Sequence, residues 1–336
     1  MEAVELSGRS TFVTGAYGLL GSWLVRALLD GGARVTVLKR DETAVSALEL
    51  EGLEARCAVV HGDCVDAPLM DRAIGEYEVD TVFHLAAQTI VGTAGRAPLS
   101  TFETNVRGTW TVLEACRVQE VGRVIVASSD KAYGNHDVLP YREDFPLQPR
   151  FPYDASKAAA DLIARSYSHS FGLPVAVTRF ANLYGGGDVN ASRLIPEAVS
   201  AVIDGRSPII RSDGSPERDF LYVEDAVAAY LAIADALDRG EGGGEAFNAG
   251  GGRPHAVREV VELICRVAGS DVEPEIRGTG TPSGEIDRQY VDATRLRELT
   301  GWEPRVDLEE GLRRTVEWYR AHPEALVPAG AAAPRS

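Results

Sequence analysis

Two short stretches carry side chains whose types and spacing can do chemistry together. Ser128-Ser129-Asp130-Lys131 follows the apolar run Val124-Ile125-Val126-Ala127, which reads as a buried strand. Further on, Tyr153-Asp154-Ala155-Ser156-Lys157 opens an Ala-rich helical segment that runs to about Phe171. At that spacing Tyr153 and Lys157 share one helix face. A free phenol is too weakly acidic to serve as a base near neutral pH, but a neighbouring ammonium favours the phenolate. Tyr153 then takes a proton from an alcohol, with Lys157 beside it and Ser129 orienting the same alcohol. Asp130 and Lys131 add a second acid and a second base; the competing reading is an ordinary ion pair at a strand end. Tyr-x-x-x-Lys alone is a common accident, so the surrounding elements must decide.

Those elements have a recognisable order. A strand, Ser10–Thr14, runs into Gly15-Ala16-Tyr17-Gly18-Leu19-Leu20-Gly21, then a helix over Ser22–Leu29 closed by Gly31-Gly32, then a strand over Arg34–Leu38. A glycine-rich turn between strand and helix lets backbone N–H groups approach a pyrophosphate at the positive helix end. With both strands and the helix in place, dinucleotide binding by Gly15, Tyr17, Gly18, Leu19, Leu20 and Gly21 is expected. The second strand meets Lys39-Arg40-Asp41. Asp41 can reach an adenosine ribose, Arg40 can accommodate a 2′-phosphate, or the three residues form a solvated turn, so these residues leave the choice between NAD and NADP open.

Further strands are expected over Ala55–His61, ending in Gly62-Asp63, and over Val79–Leu85, followed by Ala86-Ala87-Gln88. Continuous apolar strands belong to parallel sheets covered by helices on both faces. Small residues after Leu85 (Ala86 and Ala87) let a cofactor's ribose and phosphates lie close. A long helix is expected over Ser100–Cys116 and a sixth strand over Pro174–Arg179. Strict alternation then ends. Helices near Arg193–Asp204, Glu224–Leu237, Arg258–Ala268 and Glu309–Tyr319 are separated by short strands and Gly/Pro-rich turns. The expected fold is α/β: a Rossmann-type doubly wound parallel sheet over residues 1–180, to which some later segments return. A smaller mixed α/β substrate-binding domain covers 181–322, and a disordered tail 323–336.

The formal charge of −16 over 336 residues argues against nucleic acid or an anionic membrane as partner. It also requires that any phosphate ester be met by local cations, for which Arg193, Arg211 and Arg218 are the candidates. The four cysteines are widely spaced and read as free thiols in a reducing compartment. No apolar run approaches a membrane span and no signal pattern opens the sequence, so a cytoplasmic protein is expected. The six histidines show no metal-ligand spacing, so no catalytic metal is expected.

The G-x-x-G-x-x-G spacing, the strand ending in Ser-Ser and the Tyr-x-x-x-Lys pair together resemble the extended short-chain dehydrogenase/reductase superfamily. That resemblance favours NAD and implies that Asp63 caps the adenine amino group. It implies that Asn182 contacts the phosphate side of a substrate, with Gln88 nearby, and that the helices at Ser100–Cys116 and after Tyr153 build a homodimer interface. It further implies that Lys157 holds the nicotinamide ribose, whose oxidised ring adds positive charge near Tyr153. Ser129-Asp130-Lys131 is similar to the motif of nucleotide-sugar 4,6-dehydratases. There Tyr153 oxidises C4 of the hexose, Lys131 removes the C5 proton, and Asp130 protonates the departing C6 hydroxyl. A Lys acting as base must be neutral part of the time, so its pKa should be depressed. Gly21-Ser22-Trp23-Leu24, Gly185-Gly186-Gly187-Asp188 with Ser192-Arg193-Leu194-Ile195-Pro196, and Gly284-Glu285-Ile286 with Gln289-Tyr290 look like the CDP-glucose 4,6-dehydratase group. The alternatives are a nucleotide-sugar 4-epimerase acting on a UDP-hexose or UDP-hexuronic acid, which needs only Ser129, Tyr153 and Lys157, and a non-catalytic dinucleotide-binding regulator.

Overall fold

A computed structural model of the chain describes residues 6–42, 45–190, 192–280 and 286–326. The first half alternates as its apolar runs demand: β1 (Ser10–Thr14), α1 (Leu19–Asp30), β2 (Arg34–Lys39), α2 (Ala47–Leu50), β3 (Ala58–His61), α3 (Ala67–Glu76) and β4 (Thr81–His84). Next come α4 (Val91–Arg96), α5 (Pro98–Phe102), α6 (Gly108–Val118), β5 (Arg123–Ala127), α7 (Pro152–Phe171) and β6 (Val175–Phe180). The second half holds β7 (Asn182–Tyr184), α8 (Leu194–Ile203), β8 (Ile209–Ile210), β9 (Glu217–Tyr222), α9 (Val223–Asp238), β10 (Ala246–Ala249) and β11 (Pro254–Ala256). It closes with α10 (Val257–Val267), β12 (Glu275–Ile276), β13 (Arg288–Gln289), α11 (Thr294–Thr300) and α12 (Leu308–Ala321).

The central sheet has seven strands in the order β10-β6-β5-β4-β1-β2-β3, and each neighbouring pair is parallel. Strands β1, β4 and β6 are buried along their whole length because helices cover both faces, whereas the edge strand β3 is only partly buried. On one face Val25 and Leu28 of α1 meet Tyr230 and Ile233 of α9. On the other, Met70 and Ile74 of α3 meet Val112 and Leu113 of α6. The chain is a Rossmann-like α/β fold. Strand order reverses between β1 and β4, which opens a crevice at the carboxyl ends of these strands. β10 and α9, from the second half, return to this sheet and its helical layer. The rest of the second half builds a sheet β11-β9-β13 with β7 also on β9, packed by α8, α10 and α12 around Val199, Ile264 and Val316.

Several boundaries differ from the sequence reading for local reasons. Helix α1 starts at Leu19 with Gly18 as its cap, so Gly21 lies inside the helix rather than before it. Strand β3 starts at Ala58 because Glu54–Arg56 form a 3₁₀ turn. The long helix after Ala97 is interrupted by a π turn at Glu103–Arg107, whose buried residue is Asn105. Pro323–Ala325 is not part of a disordered tail: it forms a 3₁₀ turn, and Ala325 is buried against the α8/α10/α12 core. Residues 327–336, and Gly284 and Glu285 of the quoted motif, lie outside the described residues. Among the described residues no helix is long and apolar enough to cross a membrane.

Candidate active site

The loop after β1 is shaped by what its glycines leave out. Gly15 has φ +74°, and a Cβ there would lie 2.7 Å from the Ala86 nitrogen at the end of β4. A Cβ on Gly21 would lie 2.2 Å from the Gly15 carbonyl, so the helix seats directly on the loop. Gly18 is different: nothing but the Gly15 carbonyl, 3.5 Å away, comes near its absent Cβ. That open position at the first turn of α1 is where backbone N–H groups face outward, and Leu19 and Leu20 begin the helix. The loop fits a dinucleotide pyrophosphate.

Beneath it runs a buried polar chain that the sequence reading missed. Thr14 Oγ1 lies 2.8 Å from His84 Nδ1 and accepts a hydrogen bond from the Ala86 N–H at 3.2 Å. His84 Nε2 lies 3.2 Å from Thr109 Oγ1, and Thr109 donates to the Asn105 carbonyl at 2.7 Å. Burial holds His84 far down, at about 3, so its ring is neutral. Asn105 Nδ2 donates to Ser156 Oγ at 2.8 Å and to the Gln88 carbonyl at 3.1 Å, while the Gln88 N–H donates to Asn105 Oδ1 at 2.7 Å. This chain ties the glycine loop, the end of β4 and the first turns of α7 together. Gln88, expected on the substrate, turns its Oε1 to the Ile90 N–H at 2.8 Å and so braces its own loop.

At the adenosine end, Arg40 Nε donates to Asp41 Oδ2 at 2.6 Å, and Asp63 is among the charges acting on Arg40. Lys39, the other basic residue there, is buried among Glu42, Glu49 and Glu54, at 3.0, 2.9 and 3.4 Å, with Tyr17 beneath its ammonium. An acidic ring around Lys39 and a carboxylate paired to Arg40 suit a ribose diol better than a 2′-phosphate.

The candidate catalytic turn follows β5 at once. Ser129 caps a 3₁₀ turn over Asp130–Tyr133, accepting from the Lys131 N–H at 3.2 Å and donating to Asp130 Oδ1 at 3.0 Å. Tyr133 anchors the turn from below: its hydroxyl donates to Asn248 Oδ1 at 2.8 Å and accepts from Arg179 Nη1 at 3.1 Å. Arg179 in turn forms a fully buried bidentate pair with Asp161, at 2.7 and 2.9 Å. Arg179 and Asp161 lie on β6 and α7, so the turn is held by the two elements that flank it.

Asp130 is 2% exposed, and its Oδ2 has no hydrogen-bond partner in the protein. Burial raises its pKa, opposed by Lys131, Ser129 and Arg218. Asp154, which the sequence reading passed over, is pushed up to about 6 by burial, with Lys131 acting to lower it and Asp130 to raise it. Lys131 therefore stands in the field of two buried carboxyls. Tyr153, one residue before Asp154, is pushed up to about 12 by burial; the Arg193 guanidinium and a hydrogen bond with Ser129 act to lower it. Lys157 Nζ donates to the Ala127 carbonyl at 2.8 Å, and burial brings its pKa down to about 8. The turn of helix between the two points the Lys157 ammonium at the end of β5, and the Arg193 guanidinium is a further cation in the field of Tyr153.

The three candidate arginines separate. Arg193 caps α8, pairing with Asp188 Oδ2 at 2.9 Å and donating to Thr89 Oγ1 at 3.2 Å, within the field of Tyr153. Arg218 on β9 is buried, donates to the Asp287 carbonyl at 3.1 Å, and acts on Asp130. Arg211 is exposed at the end of β8, and its charge acts on Glu197 of α8 instead. Asn182 Nδ2 donates to the Asp219 carbonyl at 3.1 Å. Asp219 accepts from the Gly251 N–H at 2.8 Å and is pushed up to about 7 by burial. Gln289, opposite Arg218 in the parallel register, is fully buried with both amide atoms unpartnered within the protein. Among the described residues no His/Cys/Asp/Glu cluster is suited to a metal.

Comparison with known proteins agrees with this geometry. The sequence profile of the NAD dependent epimerase/dehydratase family matches residues 11–250. A dTDP-glucose 4,6-dehydratase of Streptomyces griseus is 36% identical, over 95% of this chain and 97% of its own length. A UDP-glucose 4-epimerase of Mycolicibacterium smegmatis is 35% identical, over 92% of this chain and 98% of its own. The crystal structure of the dTDP-glucose 4,6-dehydratase DesIV from Streptomyces venezuelae, with NAD bound, superposes with a TM-score of 0.86 at 33% identity, covering 94% of this chain and 98% of that one.

Proposed function

We propose that this chain, which belongs to the NAD dependent epimerase/dehydratase family, is a 4,6-dehydratase of a nucleoside-diphosphate glucose. Its place in the family makes it an NAD-dependent enzyme of the nucleotide-sugar dehydratase and epimerase group. Bound NAD supplies the hydride acceptor at C4 and, once reduced, the donor at C6. The loop at Gly15, Gly18 and Gly21 would hold its pyrophosphate, Asp41 and Asp63 its adenosine, and the strand end at Leu85, Ala86 and Ala87 its ribose.

The observation that carries the dehydratase reading is the burial of Asp130. A carboxyl kept from water, with burial raising its pKa, is biased toward the protonated form that can deliver a proton to a leaving C6 hydroxyl. Epimerisation has no use for such an acid. In the dehydratase reading Tyr153 takes the C4 hydroxyl proton, Lys131 takes the C5 proton and returns it, and Asp130 releases C6 oxygen as water. Arg193 and Arg218 would meet the diphosphate, with Asn182 held to β9 through the Asp219 carbonyl.

The relatives above act on dTDP- and UDP-sugars, whereas the quoted motifs resemble the CDP-glucose group; CDP-glucose is the substrate favoured here. The second reading, UDP-hexose 4-epimerisation, draws on the likeness to the Mycolicibacterium enzyme. Incubation with CDP-, dTDP-, UDP- and GDP-glucose, followed by proton NMR of the sugar, separates the two. A C6 methyl signal is expected; interconversion at C4 with the C6 oxygen retained would establish the epimerase instead.

We also propose a cytoplasmic homodimer. Leu99, at 74% exposed, with Phe102, Trp110, Leu162 and Phe171, leaves a broad apolar face on α5, α6 and α7. Sedimentation at micromolar concentration should give twice the chain mass, and Trp110→Glu should give the monomer.

A further inference from the structure

We propose that the carboxylates around the end of β2 set the choice of NAD over NADP, by caging two cations that would otherwise take a 2′-phosphate. The proposal needs only the dinucleotide site and holds for a dehydratase and an epimerase alike. By residue type this strand end reads the other way. Lys39 and Arg40 stand together where an NADP-binding fold places cations for the phosphate, whereas an NAD-binding one offers the ribose diol an acid. The fold withdraws both cations. Arg40 is tied to the next residue, its Nε donating to Asp41 Oδ2 at 2.6 Å.

Lys39 is withdrawn further. Its ammonium lies 2.9 Å from Glu49, 3.0 Å from Glu42 and 3.4 Å from Glu54, and its side chain is buried. The Tyr17 ring of the glycine loop covers it, with a centroid 5.1 Å away. Glu49 is itself fixed, since its other carboxyl oxygen accepts from Ser46 Oγ at 2.9 Å and Ser46 caps α2. An ammonium taken from water needs its partners, so Lys39 stays with the three glutamates. At this strand end two cations therefore stand among four carboxylates, those of Asp41, Glu42, Glu49 and Glu54. Asp63 adds a fifth: it follows Gly62, whose N–H donates to the Lys39 carbonyl at 3.0 Å. A ribose diol has hydroxyls to donate and suits such an acidic rim. A 2′-phosphate would bring nearly two more negative charges to the same place. The rim thus does by repulsion what a single ribose-binding acid does by attraction.

The test is an exchange experiment without turnover: holoenzyme carrying radiolabelled NAD is dialysed against increasing NADP, which gives the ratio of the two affinities. The wild-type protein should prefer NAD by about 10²-fold at low salt. That preference should narrow as potassium chloride rises from about 20 mM to about 500 mM, because screening relieves the repulsion. Glu42→Gln should narrow it about 5-fold, and Glu42→Gln combined with Glu54→Gln about 20-fold, through tighter NADP with NAD changed less than about 2-fold. The Glu42 side chain is 79% exposed, so the single variant carries the test if the double one does not fold. Glu76→Gln is the control. It removes one charge at the end of α3, before β4 begins and so at the opposite edge of the sheet, and should leave the ratio unchanged. A ratio that moves as far in Glu76→Gln as in Glu42→Gln would assign the preference to the charge of the whole protein and overturn the cage. A preference that widens with salt would show Lys39 or Arg40 meeting the phosphate, and one that persists undiminished in the glutamine variants would show the rim to be idle. Either result overturns the proposal and leaves the dehydratase reading, which the C6 methyl decides, untouched.

Discussion

The two sides of the cleft are finished to different degrees. On the cofactor side most buried polar groups close on one another: Thr14 on His84, His84 on Thr109, Asn105 on Gln88 and Ser156, and Lys39 on three carboxylates, with the Tyr17 hydroxyl the exception among the described residues. On the substrate side, Asp130 Oδ2 and both amide atoms of Gln289 are buried without a partner in the protein, and Asp219 and Asp154 sit above the usual carboxylate range. Unsatisfied buried groups cost stability unless something else repays them. The difference teaches that the polar groups around the glycine loop are mostly satisfied within the protein, whereas unsatisfied and pKa-raised groups gather on the side proposed to take the sugar.

The largest effect should come from breaking the chemistry on the substrate side alone. Lys131→Ala should lower dehydration by about 10²–10⁴-fold, the usual worth of a positioned acid or base. Oxidation at C4 needs only Ser129, Tyr153 and Lys157, so the near-ultraviolet absorbance of reduced nicotinamide should still appear when substrate is added. Normal turnover by this variant would remove Lys131 from the mechanism.

Asp219 tests the energetic half of the comparison. Its folded pKa is raised from 3.8 to about 7, so the folded protein keeps a proton that the unfolded chain has released. The stability from this group is complete below the unfolded value and is lost as pH rises through 7. Asp219→Asn should therefore flatten the decline in stability between about pH 4 and pH 7, by roughly 2–4 kcal/mol relative to wild type. Urea titrations across that range read the difference; parallel curves would mean that Asp219 is not the group responsible.

The same contrast explains what the sequence disclosed. Strands β1, β2, β4, β5 and β6 were legible because burial on both faces writes them as short apolar runs, and Gly15, Gly18 and Gly21 because a backbone turn dictates their type. Ser129, Tyr153 and Lys157 were legible from spacing along a strand end and one helix face. Asn105, His84 and Asp219 were not, since each is defined by partners far away in sequence, such as Ser156, Thr14 and Gly251. Asp154 stood beside Tyr153 in plain sight. Its meaning depends on a fold that places Lys131 against α7. Likewise nothing in the order of residues says that Lys157 turns to the Ala127 carbonyl while Arg193 faces the phenol. The sequence reading of Arg211 rested on charge alone, and the fold carries that residue outward to Glu197.

On the cofactor side, Asn105→Ala should cost about 1–3 kcal/mol, because it orphans the part-buried Gln88 N–H and removes the buried hydrogen bond to Ser156. The loss should be larger with NAD absent than with NAD saturating if the network serves the loop that holds it. Thermal unfolding with and without NAD checks this, and an equal loss in both conditions would confine Asn105 to a structural role.

The smallest effect is also the one of opposite sign. Gln289→Met keeps the volume of the side chain and removes two buried polar atoms that have no partner in the protein. Where a buried polar group is unsatisfied, an apolar group of similar shape is neutral or stabilising, so the variant should gain up to about 1 kcal/mol in stability without substrate. Gln289 lies beside Arg218 in the register of β13 on β9, so the same change should raise KM for the nucleotide sugar more than it lowers kcat. A variant that loses stability would show that the amide is already satisfied, by water for instance, and would bring the substrate side closer to the cofactor side than the protein contacts alone imply. A variant that gains stability and binds substrate normally would instead separate the two properties, leaving Asp130 and Asp219 as the groups in which the strain of this side resides.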